Sequence, residues 1–259
     1  LLDFTRVMID LGESTNMTAT DSASSLAKFA NITNMAADKY SNLGSVIVDL
    51  GNNFATTESD IVAMGTRLAA SGELVGLSQA QIMALAAAMS SVGVEAEAGG
   101  SAMSKLLKNI QVATETGGKS LTKYANVAGM TGDEFKKAFG EDALGATSAF
   151  INGLNDTERN GKSAIAILDD MGLTEVRLSN TILSLANANG VMTDAINTAN
   201  SAWEENTALT NEASQRYATA ESQVEMLKNK VNNIGISIYD DLRKPYTEAI
   251  ALVSDTVSE

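Results

Sequence analysis

The chain has no histidine, no cysteine and a single proline in 259 residues, and only 5% of it is aromatic. Without His or Cys there is no Ser-His-Asp triad, no Cys-His nucleophile, and no imidazole or thiolate metal site, so no metal or cofactor is expected. Disulfides are impossible. Base is scarce too: 18 Lys and Arg stand against 32 Asp and Glu, a net charge of −14. That balance argues against nucleic-acid binding, which needs an excess of cations to neutralise phosphates. Long apolar runs are also missing. The longest, Ile82 to Met89, is far short of a membrane span. Leu1-Leu2-Asp3 has no charged, then apolar, leader pattern, so no signal peptide is read. Because it opens on Leu1 rather than Met, the chain is expected to be a fragment of a longer protein.

What is present points to helix. Alanine is abundant, proline hardly interrupts, and aromatics are too few for a typical sandwich core. Val46-Ile47-Val48 is the best strand candidate, but it lies inside the helical pattern Leu43, Val46, Ile47, Leu50. Glycines divide the sequence into short helices. Ser78-Gln79-Ala80-Gln81 and Thr131-Gly132-Asp133-Glu134 are capping boxes, in which hydroxyl and carboxamide or carboxylate each reach an orphan backbone amide. The first opens a helix that stops near Gly93. Gly172-Leu173-Thr174 starts another that ends at Gly190, and its likeness to Gly76-Leu77-Ser78 raises the expectation of a duplicated unit or a chance recurrence. Glu95 to about Thr116 reads as one longer helix with the stripe Ala98, Ala102, Leu106, Ile110 and Ala113. Small residues at 99–102 would let another backbone approach it.

The last sixty residues read differently. From Trp203 to Tyr239 only Gly235 interrupts. Ala213, Tyr217, Ala220, Val224, Leu227, Val231, Ile234 and Ile238 step by four and three, a heptad seam and the candidate interaction site. Arg216 and Glu221 would be complementary across a parallel dimer, whereas Lys230 faces Gly235. Pro245 ends the helix. The expected fold is therefore all-α: a compact multi-helix bundle of short Gly-punctuated helices over 1–200, then a long heptad-patterned helix and a short terminal one over 201–259.

No catalytic residues are expected. The adjacent pairs Asp169-Asp170, Glu204-Glu205 and Asp240-Asp241 point about 100° apart on a helix and do not converge on one atom. The Asn-rich turns at 152–156 and 187–190 lack calcium-loop spacing. Gly117-Gly118-Lys119-Ser120 lacks the first glycine of a phosphate loop, because Ala113 stands there, and reads as a helix–helix turn. The lysines 105, 108, 119, 123, 136 and 137 run against the overall charge, either as a solvated face or as a patch for an acidic partner. Methionines such as Met83, Met89 and Met103 fall at core positions.

Gly76-Leu77-Ser78, the Ala- and Met-rich helix after it, and Ser91-Val92-Gly93-Val94-Glu95-Ala96-Glu97-Ala98-Gly99-Gly100-Ser101-Ala102-Met103-Ser104-Lys105-Leu106-Leu107 resemble the core region of phage tail tape measure proteins, also known as phage-related minor tail proteins. Leu26 to Leu68 and the passage from Gln223 to Asn229, with Gly235 and Tyr239-Asp240, fit as flanks. The resemblance implies a non-enzymatic virion protein made in the bacterial host cytoplasm. Such a protein lies in the tail lumen against the tail tube, sets tail length and is ejected ahead of DNA. The residues alone leave a second reading open: a non-catalytic helical interaction module of a bacterial surface or secreted protein.

Overall fold

The computed structural model describes residues 2–188, 190–219 and 223–231. Among them there is no strand. Fourteen helices follow in order: α1 (Leu2–Ser14), α2 (Ala19–Ile32), α3 (Tyr40–Asn53), α4 (Glu58–Leu74), α5 (Gln79–Ser91), α6 (Ala96–Thr116), α7 (Gly118–Ala128), α8 (Gly132–Glu141), α9 (Ala143–Gly153), α10 (Thr157–Asn160), α11 (Ala164–Asp170), α12 (Val176–Asn187), α13 (Val191–Glu205) and α14 (Ala208–Tyr217). A further helical stretch covers 223–231. The chain divides into two units, Leu1–Ala213 and Ser214–Glu259. Among the described residues, no helix is long and apolar enough to cross a membrane.

The first unit is built around α5. Every residue from Ile82 to Met89 is buried, so this helix is apolar all round and must be enclosed on all sides. It packs against α3, α4, α12 and α13. Four of those eight side chains are alanines, which lets neighbouring helices come close. Glycines have the same effect between α4 and α6: a methyl on Gly100 would lie 2.8 Å from Arg67 Cβ, and one on Gly99 would meet Met89 and Met64. The small-residue stretch thus has the close approach expected of it. A second cluster forms where α7, α8 and α9 meet. There Tyr124 stands edge-on to Phe150 at 5.0 Å, and Phe135 stacks near Phe139 at 6.5 Å.

Local chemistry sets most helix ends. Both capping boxes form, Ser78 with Gln81 and Thr131 with Glu134. Thr18 and Thr57 cap α2 and α4 in the same manner, each accepting from an Asp amide. Val46, Ile47 and Val48 are buried within α3. Gly117 and Gly118 have φ of +69° and +70° and turn α6 into α7. Gly76 and Gly172 share a left-handed backbone, but α5 is buried all round while α12 is one-sided.

The uninterrupted helix expected from Trp203 does not form. α13 ends at Glu205, where Asn206 adopts φ +51°, and α14 ends at Tyr217 ahead of a turn at 218–219. The cause of the first break lies on α3. The Ser41 and Ser45 hydroxyls donate to Asn206 Oδ1 at 2.9 and 3.2 Å, and Asn42 Nδ2 donates to the Trp203 carbonyl at 2.8 Å.

Candidate functional site

The heptad residues are not all on one surface. Ala213 is buried in the core of the first unit, 2% exposed, so it does not belong to a free seam. Tyr217 is half-buried at the last position of α14. Ala220, Ile234 and Ile238 lie outside the described residues. Val224, Leu227 and Val231 fall on the 223–231 helix and are 53%, 62% and 58% exposed. Their spacing of three and four puts them on one face. Glu225 and Lys228 pair beside that face at 3.1 Å. Within the described residues 223–231 these three apolar side chains form an exposed stripe.

The basic stretch has its own geometry. Lys105 pairs with Glu175, and Lys137 lies 3.9 Å from Glu141. Lys123 donates to the backbone carbonyl of Asp170, whose carboxylate pairs with Lys162. Arg159 Nη2 donates to the carbonyl of Val127 at 2.7 Å, and Asn160 Nδ2 to that of Gly153 at 2.7 Å. The ends of α7 and α11 and the start of α8 thus converge on one cleft of about 610 Å³ lined by Lys123, Arg159, Lys162, Glu134 and Asp170. Helix C-termini present unpaired carbonyls and partial negative charge, and cations there satisfy both. Of the lysines that run against the overall charge Lys123 therefore serves a helix end, as Arg159 does. This role could not be read in the sequence, because Lys123, Arg159 and their targets are brought together only by tertiary packing.

Carboxylate environments differ in sign. The Lys162 hydrogen bond holds Asp170 below the ordinary range, and Lys105 does the same for Glu175. The Thr131 amide and hydroxyl lower Glu134. Asp49 on α3 is raised, first by burial and then by the charge of Glu205. Burial pushes the Tyr124 phenol up to about 12. Of the adjacent acidic pairs, Asp170 is engaged by lysine and Glu205 faces Asp49, while Asp240-Asp241 lies outside the described residues. Among the described residues no group of three acids could hold a metal ion. An apolar cleft lies between α11 and α12, with Ile165, Leu168, Leu173 and Leu183 along it.

Fold and surface together define an all-helical packing protein, its polar groups largely committed to caps and helix ends. The family model of phage-related minor tail proteins matches residues 1–172, which span α1 to α11; the chain belongs to that family. It is thus a phage tail protein, a component of the virion with tail assembly proteins as its partners. No curated protein and no solved structure matches the chain.

Proposed function

We propose that the chain is a segment of the tape measure protein of a phage or prophage tail, the non-catalytic protein of the tail lumen that sets tail length and is ejected ahead of DNA. The family match over 1–172 carries this reading. The net charge of −14 is consistent with a protein that precedes DNA without holding it. The exposed stripe Val224, Leu227 and Val231 offers a surface for self-association with further copies as a coiled coil. Such a coil would start beyond Ala213, and its remaining seam positions are Tyr217, Ala220, Ile234 and Ile238.

A ruler counts length when extended, at about 1.5 Å per helical residue. The first unit instead folds helices back around α5, which favours a packed domain outside the measured span. In-frame deletion of this segment from its gene, followed by electron microscopy of tails, tests the proposal. A packed domain predicts defective particles whose tails shorten by far less than about 390 Å, the length of the segment as one helix. Shortening near that figure would place the segment within the measured span. Particles of normal length, yield and infectivity would overturn the tail-assembly role for this segment.

A further inference from the structure

α13 and α14 meet at Asn206 and Thr207, with neither glycine nor proline between Val191 and Ala213. Nothing in that local sequence demands a break. The break is supplied from α3. In an unbroken helix the Thr207 amide would donate to the Trp203 carbonyl, and the Leu209 amide to the Glu205 carbonyl. Here Asn42 Nδ2 occupies the Trp203 carbonyl at 2.8 Å, and the Leu209 amide donates to Ser45 Oγ at 3.4 Å. Ser41 and Ser45 hold the Asn206 side chain, whose backbone is left-handed, a conformation Asn tolerates better than most residues. The Leu209 side chain fits over Gly44, where a methyl group would come within 2.8 Å of its Cδ2. Over 208–213 only Leu209 and Ala213 are buried. The groups that take the Trp203 carbonyl and the Leu209 amide out of the helical ladder both come from one turn of α3.

We infer that residues 191–213 are a two-state element. In the closed state, seen here, α3 clasps the Asn206 turn and folds α14 back. In the open state Asn206 becomes right-handed, the four helical bonds missing between the amides of 207–210 and the carbonyls of 203–206 form, and α13 continues straight through residue 213. α13 stays in the core in both states, because Met192, Ala195, Ala199 and Ala202 remain buried against its neighbours. The element would let α13 lengthen through residue 213 without unfolding the core of the first unit. The inference rests on the α3 contacts and stands whether or not the segment measures tail length.

The native absence of cysteine makes the test direct. Asp194 and Asn211, both exposed, are replaced by Cys in the full chain and spin-labelled, and their separation is measured by pulsed electron resonance. Along one straight helix they are about 26 Å apart; the turn makes the separation shorter. The parent is expected to be mainly short. Asn206→Ala removes the clasped side chain and disfavours the left-handed backbone, and is expected to move more than half of the population to the longer distance. If Asn206→Ala fails to fold, the pair Ser41→Ala and Ser45→Ala decides by the same criterion. A folded variant with the parent's distribution would overturn the inference.

Discussion

Gly153 ends α9 directly against the end of α7: a methyl group there would sit 1.9 Å from the Val127 carbonyl oxygen. That atom is backbone and is itself held by Arg159, so it cannot retreat cheaply. Gly153→Ala is expected to destabilise the protein by about 1–3 kcal/mol, measurable by urea unfolding. Single carboxylates also divide by sign. Asp49 binds its proton more tightly in the folded state than in the unfolded chain. Stability from it is therefore gained as pH falls through its raised value, and is missing at neutral pH. Asp49→Asn is expected to raise Tm at pH 7, measured by thermal denaturation. That gain should vanish as pH approaches the ordinary value of 3.8. Asp170 and Glu175 act oppositely: their folded values are depressed, so their contribution is present at neutral pH and lost on acidification.

At the scale of elements, α5 is the central helix. Leu85 is 1% exposed on it, and Leu85→Ala is expected to cost about 2–5 kcal/mol. Leu74, 64% exposed at the end of α4, should change stability by less than about 0.5 kcal/mol when replaced by Ala. Thermal or chemical denaturation of the two variants checks the contrast. The sequence shows α5 plainly, because a capping box, an eight-residue apolar run and a following glycine coincide within fifteen residues. α6 is equally legible from its stripe and from Gly117. Two things were hidden. The end of α13 depends on Ser41, Asn42 and Ser45, some 160 residues earlier, and no local pattern encodes such a partner. Ala213 fits the heptad spacing as well as Leu227 does, yet one is buried in the core and the other is exposed. Spacing names a face of a helix and leaves open what that face meets.

For the molecule as a whole, the matched family segment and the folded core differ in extent. Residues 1–172 contain α1 to α11 but not α12 or α13, both of which pack on α5. A protein cut at residue 172 would leave part of that apolar helix in water. It is expected to lose cooperative unfolding and bind hydrophobic dye, whereas one ending at 213 should melt in a single sharp transition. The second unit carries its own prediction: Leu227→Asp places a charge in the exposed stripe, and sedimentation velocity should show any self-association of the parent abolished.

The contact of α13 with α3 and α5 also orders events at the ribosome. The helices that flank α5 early in the chain are made first, but the one that closes its remaining side is synthesised more than a hundred residues later. Until α13 has left the exit tunnel, the nascent chain carries an open apolar trough where that helix will lie. Protease resistance of stalled nascent chains should therefore rise in one step, only after the codons for residues 191–205 and a tunnel's length beyond them have been translated.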